Sequence, residues 1–193
     1  MMCHTKDKKP KAHARPATSD PKVNFPDRDR WTPLMKACAW ESPENVRKLI
    51  AVGAEVNKAD AEGFGPMMCA CVEGRTDVVL LLIAHGAEID ATDEAGRTAL
   101  SWAVTRGDFD KTAEALISAG AEVNRRDKDG FTPLMRAALM NNARCFELLV
   151  RNCADTAPVN AHWRETALEM AMERGSDELR KLAESVRSGK YRP

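Results

Sequence analysis

The chain has 193 residues, of which 44% are hydrophobic and 30% charged, with 29 basic and 29 acidic side chains that leave a formal net charge of zero. That length allows one sizeable core or two smaller ones, and the balanced charge gives the chain as a whole no electrostatic pull on nucleic acid. Only 5% of residues are aromatic, with a single tyrosine, which is too few for the strands of a β-sandwich and favours helices.

No apolar run nears the roughly 18 residues of a membrane span, and the opening Met1-Met2-Cys3-His4-Thr5-Lys6 lacks the apolar core of a secretory signal. A cytoplasmic location without membrane contact is therefore expected, with the nucleus as an alternative. Residues 1–26 contain Pro10, Pro16, Pro21 and Pro26 and the basic Lys6, Lys8, Lys9, Lys11, Arg15 and Lys22, with little apolar surface to offset the entropy of ordering. They read as a disordered, basic, solubilising tail, and its lysine cluster leaves a nuclear regulatory role as the alternative.

From residue 27 the chain repeats. Gly53-Ala54-Glu55-Val56-Asn57 returns as Gly86-Ala87-Glu88-Ile89-Asp90 and as Gly120-Ala121-Glu122-Val123-Asn124, at steps of 33 and 34. Asp60-Ala61-Glu62-Gly63, Asp93-Glu94-Ala95-Gly96 and Asp127-Lys128-Asp129-Gly130 keep the same step. A third series runs Thr32-Pro33-Leu34, Gly65-Pro66-Met67, Thr98-Ala99-Leu100, Thr132-Pro133-Leu134 and Thr166-Ala167-Leu168. Each of these opens a helix: threonine caps the free N–H groups of a first turn, and proline at the next position loses no hydrogen bond. Small residues follow (Ala37-Cys38, Ala70-Cys71, Ala103, Ala137-Ala138, Ala171), so successive helices can approach closely. A second helix then runs to the recurrent glycine, a C-cap free to take positive φ.

Three series in one register define repeats at 27–59, 60–92, 93–126, 127–160 and 161–193. The second helix of the second repeat, Val78-Val79-Leu80-Leu81-Leu82-Ile83, is apolar nearly all round, whereas those of the first and last repeats are rich in charge. The terminal repeats thus read as caps of a stacked array.

These residues resemble the ankyrin repeat, whose pattern is an Asp-x-x-Gly turn, a Thr-Pro-Leu helix start, an Ala-Ala pair, a Leu-rich helix and a Gly-Ala-Asp-Val-Asn exit. The resemblance spans about residues 27 to 193. It implies an all-α solenoid of five helix-turn-helix repeats with short β-hairpin loops, and a role in holding a protein partner. Met35, Met68, Ser101, Met135 and Glu169 stand where the family usually has histidine, and Lys36 and Arg136 stand where it is apolar. The least regular junction is 153–165, where Cys153 replaces the C-cap glycine.

Catalytic chemistry has no candidate: no His-Glu-x-x-His, no Gly-x-Ser-x-Gly and no phosphate loop occurs, so neither enzyme activity nor cofactor is expected, and an enzyme with an unrecognised site stands only as a second alternative after the nuclear regulatory role. The six cysteines show no Cys-x-x-Cys pair and read as reduced thiols, four of them as small buried hydrophobes. Cys3, His4 and His13 are a weak metal set, since no scaffold fixes them. His85 reads as facing the last carbonyls of its helix.

What remains is a surface. By its position in ankyrin-like repeats the concave side takes Trp31, Phe64, Arg97 and Phe131, just before the helix starts, and Trp40, Val72, Arg106, Leu139 and Met140, before the turns between helices. Trp40, Phe64, Phe131, Leu139 and Met140 are expected to align there as an exposed apolar patch. Aromatic and arginine side chains dominate binding energy at interfaces. The partner expected is a protein, with nucleic acid not expected and the chain monomeric by itself.

Overall fold

A computed structural model describes residues 21–28, 30–106 and 109–191. Among them ten α-helices follow one another: α1 (Pro33–Trp40), α2 (Pro43–Ala51), α3 (Pro66–Val72), α4 (Thr76–Ala84), α5 (Ala99–Ala103), α6 (Asp110–Ser118), α7 (Pro133–Leu139), α8 (Ala143–Arg151), α9 (Ala167–Arg174) and α10 (Asp177–Arg187). None is long and apolar enough to cross a membrane.

The helix starts follow the series read from the sequence. Thr32, Thr98, Thr132 and Thr166 each accept a hydrogen bond from the backbone N–H three residues on, and Pro33, Pro66 and Pro133 stand in the first turns. Ser42, Asn142 and Ser176 cap α2, α8 and α10 in the same way. Helices this short are marginal alone, so packing must hold them.

Two layers supply it. The odd-numbered helices touch in succession from α1 to α9, the even-numbered ones from α2 to α10, and each odd helix packs on the even helix that follows it. Close approach in the first layer rests on Ala37, Cys38, Ala70, Cys71, Ala103, Ala137, Ala138 and Ala171, all at or below 1% exposure. Leu34, Leu100 and Leu134 fill the space towards the second layer, which answers with Val46, Leu82, Leu116, Leu149 and Leu179. Met35, Met68 and Met135 are buried at the position where the resemblance leads one to expect histidine. Glu169 there closes a capping box, its carboxylate accepting from Thr166 N at 2.7 Å.

The connections between repeats are hairpin turns closed by backbone hydrogen bonds such as Asp60 N to Phe64 O (3.0 Å) and Asp93 N to Arg97 O (3.0 Å), and neighbouring hairpins are joined by Glu94 N to Glu62 O (2.8 Å), Lys128 N to Ala95 O (2.9 Å) and Ala161 N to Asp129 O (3.1 Å). Among the described residues their β character is limited to the isolated bridges Thr92–Thr98 and Val159–Thr166. Gly63 sits at φ +74°, and a Cβ there would lie 3.0 Å from Thr92 O. In the first and last hairpins Arg30 (φ 65°) and Arg164 (φ 59°) occupy that left-handed position.

Two expectations need correction. The tail was bounded at residue 26, yet Pro21–Asn24 form a 3-10 turn in contact with α1, and Val23 is buried in the core. Asn24 donates to Gly53 O (3.0 Å) and accepts from Glu55 N (2.8 Å). Asn57 does the same with Gly86 O and Glu88 N, and Asn124 with Cys153 O and Asp155 N. Val23-Asn24 is therefore another copy of the repeat exit, 33 residues before Val56-Asn57, and the buried Val23 side chain and the bridging Asn24 amide order it. The lysine cluster lies outside the described residues, as do Cys3, His4 and His13. The second correction concerns sulfur: Cys38, Cys69, Cys71 and Cys145 are free and buried, but Cys153, exposed at the exit of α8 with φ 63°, is disulfide-bonded.

Candidate protein-binding surface

Each hairpin is organised by one carboxylate or amide. Asp60 Oδ1 accepts from Glu62 N (3.0 Å) and Phe64 N (2.8 Å), Asp93 Oδ1 from Ala95 N and Arg97 N (both 2.9 Å), and Asp127 Oδ1 from Asp129 N (3.0 Å) and Phe131 N (2.8 Å). Asn160 Oδ1 takes His162 N and Trp163 N likewise. An oxygen with two backbone donors is fixed, and the second oxygen is left pointing at the first helix of its own repeat. There Asp93 Oδ2 accepts from Trp102 Nε1 (3.2 Å) and Arg97 Nε (2.8 Å), Asp127 Oδ2 from Arg136 Nε (2.9 Å), and Asp27 pairs with Lys36. Lys36 and Arg136 thus face the hairpins and neutralise their carboxylates.

Along this hairpin side of the first layer the rings form a ladder. Trp40 stacks on Trp31 with centroids 5.0 Å apart, Trp31 lies 6.3 Å from Phe64, and Phe64 meets Trp102 edge-on at 5.4 Å. Arg97 covers the Trp102 ring at 4.0 Å. Trp40 is 64% exposed and Trp31, Phe64 and Trp102 are half-buried, so the ladder presents apolar surface across three successive first helices. Trp31, Trp40, Phe64 and Arg97 were each expected on this face, and the structure brings them together. Phe25, 67% exposed, lines a shallow pocket together with Trp31 and Lys36.

The other expected positions separate. Phe131 is only 8% exposed; it packs edge-on against Trp163 at 5.7 Å, beneath Arg136 at 5.2 Å. It belongs to the core rather than to an exposed patch, because the next hairpin closes over it. Leu139 and Val72 are half-buried against their neighbours, whereas Met140 and Arg106 are exposed. Phe64 and Phe131 therefore do not form one continuous exposed column.

Trp102 and Trp163 escaped the sequence reading. Trp102 occupies the first-helix position held elsewhere by Lys36, Cys69, Arg136 and Met170, residues with no shared chemistry to mark a column. The available signal was Lys36 and Arg136 themselves, two cations at a position that the resemblance makes apolar. His85 meets expectation, its Nδ1 lying 2.8 Å from Leu81 O at the end of α4.

No group of three metal-ligating side chains comes together among the described residues. Burial pushes the Cys38 thiol up to about 12, with Arg75 opposing in part, and drives those of Cys69 and Cys71 higher still. These thiols are neutral at physiological pH and poor nucleophiles.

The family model described as ankyrin repeats (3 copies) matches residues 15–93, 59–127 and 100–189. The chain belongs to the ankyrin repeat family. It is also similar to protein phosphatase 1 regulatory subunit 12A of Mus musculus and of Rattus norvegicus, 38% identical over 76 residues in each case. That similarity takes in 39% of this chain and 7% of the relatives' length. As an all-α ankyrin array with no long apolar helix among the described residues, the chain has the architecture of a protein-interaction module.

Proposed function

We propose that this ankyrin-repeat chain acts inside the cell as an adaptor or scaffold, holding a protein partner along the hairpin side of its first helices. The observation that carries the reading is the ladder Trp40, Trp31, Phe64 and Trp102. Large rings left open to solvent contribute nothing to folding equal to what they would contribute on burial by a partner. Arg97 and Lys36 hold their charges against internal carboxylates, so the face is locally neutralised and suited to protein rather than to a phosphate backbone. The similarity to phosphatase regulatory subunits is confined to a stretch of 76 residues and supports the class of function, not a phosphatase as the partner.

Trp40→Ala tests it. The variant is expected to keep its helical circular dichroism and to lose about 1 kcal/mol of stability or less, the worth of one exposed ring stack. Partner affinity should fall by about 2 kcal/mol or more, roughly thirtyfold. Affinity capture from native cells, with wild type and variant side by side, makes the comparison. A folded variant that captures the same proteins in the same amounts removes the ladder from the binding site.

A further inference from the structure

The hairpin carboxylates obey a rule with one exception. Asp93 and Asp127 each fix Oδ1 with two backbone N–H groups and hand Oδ2 to a donor nine residues along the chain, Trp102 or Arg136. Asp27 gives its carboxylate to Lys36, again nine residues on. Asp60 fixes Oδ1 identically, but the residue nine positions on is Cys69, 2% exposed. Burial keeps that thiol neutral, and the nearby Asp60 charge adds to the effect. No side chain among the described residues donates to Asp60 Oδ2 or forms an ion pair with Asp60, although the residue is only half-buried and so within reach of a partner.

The missing group can be read from the other repeats. In the fourth, Asp127, the ring four residues on (Phe131) and Arg136 form one unit, the guanidinium bonded to the carboxylate and 5.2 Å from the ring. In the third, Arg97 bonds Asp93 and lies 4.0 Å over Trp102. The second repeat keeps the carboxylate of Asp60 and the ring of Phe64, with Trp31 at 6.3 Å, and lacks only the arginine. Resting on the interaction reading above, we propose that Asp60 receives an arginine side chain of the bound protein, its guanidinium donating to Oδ2 beside the Trp31 and Phe64 rings. The partner segment is thus an apolar stretch carrying one arginine, whose neighbours cover the ladder. A planar guanidinium suits both a carboxylate and an aromatic wall, where an ammonium suits chiefly the charge.

The test uses the full chain and two synthetic twelve-residue peptides of leucine and proline, one with a central arginine and one with citrulline, its neutral isostere, in that place. Binding is followed by the indole N–H resonances of Trp31, Trp40 and Trp102. The wild type is expected to bind the arginine peptide about tenfold more tightly, as a hydrogen bond between charged groups should add. Asp60→Asn should bind both alike. It is a mild change, because Asn160 already performs the same Oδ1 task in the last hairpin. Cys69→Arg, which places inside the chain the group that Arg136 supplies in its own repeat, should also erase the preference. Equal binding of both peptides by the wild type, or a preference that survives in Asp60→Asn, overturns this inference while leaving the ladder as a binding face. Failure of either peptide to perturb any of the three indoles overturns both readings together.

Discussion

Two aromatic groups on the same side of the molecule have opposite fates. Trp31, Trp40, Phe64 and Trp102 form a ladder that remains open, with Trp40 64% exposed. Phe131 occupies the same place in its repeat as Trp31 and Phe64 but is 8% exposed, closed in by Trp163 and Arg136. Trp163 itself is 42% exposed beneath Arg174, 5.1 Å away. In a stacked array a side chain's environment is set as much by the adjoining repeat as by its own. The hairpin beyond Phe64 contributes Arg97, which turns aside to Asp93, while the hairpin beyond Phe131 contributes an indole that covers it. One position in the repeat is partly open surface in the first case and core in the second.

Phe131→Ala tests this difference most strongly. Deleting a buried phenylalanine costs about 3 kcal/mol or more, so the urea midpoint should fall sharply with no direct loss at the ladder. A stability change as small as that of Trp40→Ala would show that the two groups are alike.

The carboxylates beneath the rings give the next effect. Arg136→Leu strips the cation from Asp127, whose side chain is 1% exposed, and should cost about 3 kcal/mol, as breaking a buried pair does. Arg97→Leu should cost nearer 1 kcal/mol, because Trp102 Nε1 still donates to Asp93 Oδ2 and the Arg97 side chain is 32% exposed. Equal losses in the two variants, measured by chemical denaturation, would mean that burial does not distinguish these hairpins.

The smallest effect is in acid. The hydrogen bond from Arg174 holds Glu165 below the usual carboxylate range, and the Thr166 backbone N–H does the same for Glu169. A carboxylate whose folded value is depressed stabilises the fold at any pH above its unfolded value and loses that contribution as pH falls through the folded one. The start of α9 should therefore loosen only as pH falls below the ordinary carboxylate range. The Thr166 amide resonance reports it, and a Thr166 resonance that shifts already within the ordinary carboxylate range would contradict the expectation.

The helix starts were legible because their cause is local. A threonine cap, a proline in the first turn and an alanine pair act within a few residues, so the Thr-Pro-Leu series marked α1 and α7 and its variants marked α3, α5 and α9. The aromatic ladder was legible in part. The repeat position marks Trp31, Trp40, Phe64 and Arg97 for one face, whereas Trp102 carries no such mark because its column mixes lysine, cysteine, arginine and methionine. Val23-Asn24 was passed over for another reason: proline and lysine in the surrounding segment hid a two-residue exit motif that becomes visible only through its bonds to Gly53 and Glu55.

The sequence by itself determined the period, the helix boundaries and the small residues that let the layers close, since each depends on backbone geometry and near neighbours. Only the tertiary structure decided which rings are open, which carboxylates have cations, and that Asp60 has neither lysine nor arginine from its own repeat. Those outcomes depend on side chains that meet across turns, nine residues on within a repeat or some 33 residues on in the next, where the repeat fixes the distance but one substitution, Trp163 over Phe131 or Cys69 beside Asp60, changes what is met there.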